Sequence, residues 1–145
     1  MAKTARLHRA DRSSILLGTI LIIFINKEFL PKIMPPVNIY TTKNRIGSLR
    51  SILKDLRAYI AKELSCGERG LNPLEISLRI IPTSGSSLQI ADTELDIFAY
   101  SYPERVKKQD EICLSIKKYI EGNCPRAGSV YVWLPLSELG HSARD

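Results

Sequence analysis

What most constrains this chain is the spacing of its apolar residues, which switches from a strand period to a helix period and back, twice, in the same order. Residues 35–42, PPVNIYTT, put Val37, Ile39 and Thr41 on one face and Asn38, Tyr40 and Thr42 on the other, the period of two that a half-buried strand requires. Over 45–64 the apolar positions become Ile46, Leu49, Ile52, Leu53, Leu56, Tyr59, Ile60 and Leu64, with Arg50, Lys54, Asp55, Arg57 and Lys62 between them. Steps of three and four predict an amphipathic helix with a solvated charged face. The glycines and proline of CGERGLNP end it. Alternation returns in LEISLRIIP, with Ile76, Leu78 and Ile80 opposite Ser77, Arg79 and Ile81, and Pro82 is expected to stop the ladder.

The second round follows a polar connection, TSGSSLQIADT. Strand character over 94–102 sets Leu95, Ile97 and Ala99 against Asp96, Phe98 and Tyr100. Pro103 fits a first helical turn, and Val106, Asp110, Cys113, Ile116 and Ile120 form a stripe running to Gly122 and Asn123. Residues 129–136, SVYVWLPL, alternate Val130, Val132 and Leu134 against Tyr131 and Trp133, and Pro135 is expected to close the last strand. The order is strand, helix, strand, repeated. It predicts an α+β fold of two layers, a duplicated β-α-β with a four-stranded mixed sheet and two helices on one face, each half a right-handed crossover unit.

The uncovered face would then display Asn38, Tyr40, Ser77, Arg79, Ile81, Asp96, Phe98, Tyr100, Tyr131 and Trp133. That mixture is too aromatic to be left wholly in water, so a subunit interface is expected there, with ligand-lining by some of the same residues compatible with it.

Charge and composition narrow the partners. The chain has 145 residues, 44% hydrophobic and 25% charged, which suits one core. Of its net charge of +6, residues 1–33 carry +4, from six Lys/Arg and two acids, so 34–145 carry only +2. A basic footprint for nucleic acid is therefore not expected of the main domain. Cys66, Cys113 and Cys124 have no CxxC spacing and only His8 and His141 to join them, which argues against zinc and for free thiols in a reducing compartment, the cytoplasm.

The leading segment reads differently from the rest. Lys3, Arg6, Arg9 and Arg12 precede an 11-residue apolar run over 15–25, short of the roughly 20 residues a spanning helix needs. No small-x-small cleavage site follows it. Three readings stand: a poor signal or short apolar anchor, an amphipathic appendage, or sequence upstream of a start at Met34. The change of character at Met34 favours the last, giving an extension over 1–33 and a domain over 34–145. A membrane partner is expected only if 1–33 is present in the working protein.

From Met34 to about Leu136 the chain resembles the tautomerase superfamily, the relatives of macrophage migration inhibitory factor and oxalocrotonate tautomerase. The resemblance rests on MPPVNIY as a domain start, ISLRIIPTSGSS as second strand and turn, SVYVWLPL as closing strand, and the duplicated topology over 112 residues. A Gln109–Asp110 pair where strand runs into helix resembles a small bacterial branch of unassigned function. The resemblance implies a homotrimer without cofactor or metal, acting on a small 2-oxo acid or its enol. It implies that Met34 is removed and that Pro35, as a terminal secondary amine, is the general base, with Arg79 and Tyr131 stabilising charge on oxygen. Arg69, Tyr100 and Trp133 are implied substrate-binding residues. Two departures bear on the substrate: Pro36 directly follows Pro35 and restricts it, and Trp133 stands where those relatives carry a smaller polar residue. The alternatives are a trimer of this fold without catalysis, and a ferredoxin-like module that binds a ligand or RNA.

Overall fold

The computed structural model describes residues 35–67 and 70–138. The readings of 1–33 as an extension and of Met34 as a start, and the placement of Arg69, lie outside the described residues. The described residues belong to one compact unit, Met34–Asp145.

Strand β1 (Pro36–Thr42) buries Val37, Ile39 and Thr41 in strict alternation. Helix α1 (Lys43–Leu64) follows without a loop and buries Leu49, Leu56, Ile60 and Leu64, the expected stripe. Strand β2 (Ser77–Thr83) returns parallel to β1. In the second half, β3 (Thr93–Ile97) runs antiparallel to β1, and β5 (Val130–Trp133) lies parallel to β3. The sheet order is β2-β1-β3-β5, the four-stranded mixed sheet that the periodicity predicts. Both longer helices pack on one face of it and on each other. Between them the rings of Tyr59 and Tyr119 stack with centroids 4.1 Å apart, and the Tyr59 and Ser115 hydroxyls hydrogen-bond at 2.6 Å.

Four details differ from expectation. Pro82 does not end β2; it pairs in register with Thr41 and the strand continues to Thr83. β2 is an edge strand, where a missing N–H need break no ladder bond. The run over 94–102 is interrupted at Phe98. Phe98 donates its N–H to the Pro36 carbonyl at 3.1 Å, but beyond that point β1 offers only prolines, which have no N–H to donate. Strand β4 (Ala99–Tyr100) pairs instead with β6 (Leu136–Ser137), in a separate small sheet. Pro135 thus ends β5 but not the pairing, because the chain resumes as β6.

The second helix is the fourth difference. It is two pieces, α2 (Pro103–Lys107) and α3 (Gln109–Asn123), broken at Lys108 with φ −106° and ψ 11°. The buried stripe also differs from the expected one: α3 buries Ile112, Ile116 and Ile120, while Val106 and Asp110 are exposed and Arg105 is the buried residue of α2. Cys124 is buried in the core, and Cys66 and Cys113 are half-buried; all three are free thiols. Among the described residues, no helix is long and apolar enough to cross a membrane.

Candidate active site

The sheet face opposite the helices carries the residues of interest, and register fixes who neighbours whom. One row across the sheet reads Arg79, Asn38, Asp96, Trp133; the next reads Ile81, Tyr40, Glu94, Tyr131. Arg79 is therefore on one edge strand and Tyr131 and Trp133 on the other. With strands about 4.8 Å apart, the two edges lie about 14 Å from each other.

Pro35 is buried immediately before β1, and its carbonyl accepts the Ser77 N–H at 3.3 Å. Its neighbours at this end of the sheet are the head of β2 and the turn at Phe98. Tyr131 lies two strands across and, through Glu94, level with Tyr40, five residues further along β1. At about 3.3 Å per residue, that offset alone is about 17 Å. One protomer thus does not bring Pro35 and Tyr131 into hydrogen-bonding range of a common small molecule.

What one protomer does contain is a groove of about 650 Å³ along the free edge of β5. Phe98, Asp96, Tyr131 and Trp133 line it from the open face, Leu134 and Pro135 from the strand end, and Gln109, Asp110, Cys113, Leu114 and Lys117 from α3. The Tyr131 and Trp133 rings lean on each other, centroids 4.8 Å apart and tilted by 49°, so alternate residues of β5 present one continuous aromatic wall. Trp133 is 45% exposed and Phe98 46%, a large apolar area for a surface in water. Gln109 donates from Nε2 to the Leu134 carbonyl at 2.6 Å, tying the start of α3 to the end of β5 and setting the groove's width.

Asp96 was not among the residues singled out for chemistry. Its carboxyl lies in this wall beside Trp133, and its pKa is raised above the usual 3.8, first by burial and then by the like charge of Glu94. Burial, followed by the charge of Asp110, likewise raises the Cys113 thiol, so this cysteine is a poor nucleophile at neutral pH. Tyr100 lies in the small β4–β6 sheet, outside the groove, with its carbonyl accepting from Arg105. The signal that could have found Asp96 was its alternation with Leu95 and Ile97, which puts an acid between Glu94 and Phe98 on the open face.

Compared with solved structures, the chain is similar to a malonate semialdehyde decarboxylase, at 10% identity and TM-score 0.56, covering 77% of this chain and 91% of that one. A macrophage migration inhibitory factor-like protein from Entamoeba histolytica matches at 14% identity and TM-score 0.52, over 77% of this chain and 96% of the other. A fused 4-OT, a symmetric trimer, matches at 11% identity and TM-score 0.55, over 75% and 93%. The chain shares the tautomerase fold of these proteins. No protein-family model matches the chain, and no curated protein matches it. In this tautomerase fold, Pro35 heads the first strand of the first β-α-β half and Tyr131 sits in the last strand of the second.

Proposed function

We propose that this chain is a tautomerase-like isomerase, working as a homotrimer in the cytoplasm, in which Pro35 is the general base for keto–enol proton transfer on a small 2-oxo acid. The observation that carries the reading is a buried proline at the head of β1 in a tautomerase fold. The similar malonate semialdehyde decarboxylase was studied with its first-position proline replaced by alanine and in an inactivated form, which fits a working proline at that place.

The chemistry requires a free amine. In the chain as written, Met34 acylates the Pro35 nitrogen, and an amide nitrogen is not a base. Removal of Met34 would leave a terminal amine with an ordinary pKa of about 8, and burial disfavours its charged form and moves it lower. It would then be neutral at pH 7 and able to take a proton from the substrate carbon or enol oxygen. Charge developing on the substrate oxygen needs donors nearby. Arg79 lies on the strand next to Pro35. Tyr131 and Trp133 would come from the β5 edge of a neighbouring copy, since the protomer holds them too far away. Trp133 there gives the substrate an aromatic wall. Three free thiols fit a reducing compartment.

The open face opposes the RNA-binding alternative, because Glu94 and Asp96 stand among its aromatics and would repel a phosphate backbone. Mass measurement of the protein from its native host should find Pro35 as first residue. Ketonisation of phenylenolpyruvate or 2-hydroxymuconate should then be catalysed, and Pro35→Ala should lower kcat/KM by about 10²-fold or more. A rate untouched by that substitution, or a mature chain retaining Met34, would leave the non-catalytic trimer as the correct reading.

A further inference from the structure

Asp96 is a charge without a counter-ion in an aromatic setting. Its carboxyl is half-buried and makes no hydrogen bond or ion pair among the described residues, and the charge that bears on it is the like charge of Glu94. Rings surround it. Trp133 is its partner in register on β5, one strand spacing of about 4.8 Å away. Tyr131 leans on Trp133, and Phe98 follows Asp96 two positions along the chain. All four line the groove of about 650 Å³, a volume within the roughly 300–1,000 Å³ of small-molecule sites.

The groove carries an excess of one sign. Asp96 and Asp110 stand against one cation, Lys117, whose Nζ is already drawn to Glu121 on its own helix at 3.9 Å. Asp110 lies in the first turn of α3 and offsets the positive end of that helix, so the helix adds little to balance Asp96. The faces of aromatic rings are themselves electronegative. An anionic ligand would therefore be repelled, and a neutral apolar one would cover the carboxylate without pairing it. A positive charge with an apolar skin satisfies both the rings and the acid.

We propose that the β5-edge groove binds a small organic cation, an alkylated ammonium group seated against Trp133, Tyr131 and Phe98 with Asp96 as its counter-ion. Every residue of this site belongs to one protomer, so no second copy is needed to complete it. The walls are held in place before the ligand arrives. Gln109 fixes the start of α3 to the Leu134 carbonyl at 2.6 Å, and the Phe98 N–H is bound to the Pro36 carbonyl at 3.1 Å. Little ordering is then left to oppose binding.

Trp133 is the chain's single tryptophan, so its fluorescence reports on the groove directly. Choline titrated into the full chain should change that emission saturably at millimolar concentration or below. The uncharged alcohol with carbon in place of the nitrogen should bind about 10-fold more weakly or worse, and the anion trimethylacetate more weakly still. Asp96→Asn keeps the shape and removes the charge; it should weaken choline about 10-fold or more while changing the alcohol less than about 2-fold. Trp133→Phe, followed by calorimetry, should retain choline at reduced affinity. Circular dichroism checks folding, and if Asp96→Asn fails to fold, the wild-type comparison of choline with the alcohol decides alone. Choline bound no better than the alcohol, no saturable change at tens of millimolar, or an Asp96→Asn variant that binds choline as wild type does would each overturn the site. None of these outcomes touches the isomerase reading, since binding requires neither a free Pro35 amine nor turnover.

Discussion

Gly128→Ala should lower the stability of the domain by about 3 kcal/mol, read as a shift of the urea midpoint at pH 7. Gly128 has φ +73° and ψ −148°, a region essentially reserved for glycine. Space compounds the strain. A Cβ there would overlap the Arg45 guanidinium and the Asp92 carboxylate and come within 2.8 Å of Asp92 Cβ. Those groups are not free to step aside. Asp92 Oδ2 accepts from the Ser129 N–H and hydroxyl, both at 3.0 Å, and Oδ1 pairs with Arg45 at 3.0 Å. Arg45 also donates to the Ala127 carbonyl at 3.2 Å, and that carbonyl accepts from buried Thr93 at 2.7 Å. The clasp joins the loop before β3 to the turn before β5, and so registers the two strands beneath the aromatic wall.

The same clasp gives the prediction a pH signature. The Ser129 N–H and then its hydroxyl hold the Asp92 pKa below 3.8; burial opposes them, and the Arg45 charge adds a lesser lowering. A carboxyl lowered in the folded state contributes stability that is present above its unfolded pKa and lost as pH falls through the folded value. If alanine at 128 displaces Asp92, wild type and variant should converge as pH drops below 3.8, leaving only the backbone strain between them. An unchanged midpoint at pH 7 would mean that the turn can relax around a side chain.

Much of this was legible in the chain because local patterns carried it. Every second residue of β1 is buried as the alternation requires, and α1 buries the stripe read from its spacing. The halves repeat because the periods repeat. What failed depended on events the local pattern does not encode. Counting the stripe from Val106 through Asp110 placed those two inward, whereas the buried face runs Arg105, Ile112, Ile116 and Ile120, and a charged residue at its start hid the phase. Pro135 was correctly a strand terminus, yet the β4–β6 pairing after it is a contact between residues 37 apart in sequence. The candidate site was legible as residue types and not as a constellation. Pro35, Arg79 and Tyr131 are each placed by a strand, but the strand order sets Arg79 and Tyr131 on opposite edges, and no periodicity reveals strand order. Asp96 was seen as one of several open-face residues; its lack of a partner became apparent only once register put Asn38 between it and Arg79.

Arg105 is the residue that the phase error concealed, and its removal should have the other large effect. Its side chain is 4% exposed. Nε donates to the Leu64 carbonyl at 3.2 Å, Nη2 donates to the same oxygen, and Nη1 donates to the Tyr100 carbonyl at 2.7 Å. The guanidinium lies over the Tyr102 ring, 5.1 Å from its centroid. Leu64 is the last residue of a 22-residue helix, so the cation sits at the negative end of the helix dipole, which together with the two carbonyls balances a charge that has no carboxylate ion pair among the described residues. Because α1 runs back along β1, this joint is at the same end of the sheet as Pro35. Arg105→Ala should cost about 3 kcal/mol, from the lost guanidinium hydrogen bonds to two carbonyls, which keep only the Tyr102 N–H and the Cys66 thiol as donors among the described residues, and from the space left behind. Arg105→Lys should cost less, about 1–2 kcal/mol, since it keeps the charge but cannot span both oxygens. Arg105→Met retains bulk and donates nothing, so it should fall near alanine if hydrogen bonding holds the joint. A methionine variant as stable as wild type in urea would show that Arg105 serves only to fill space there.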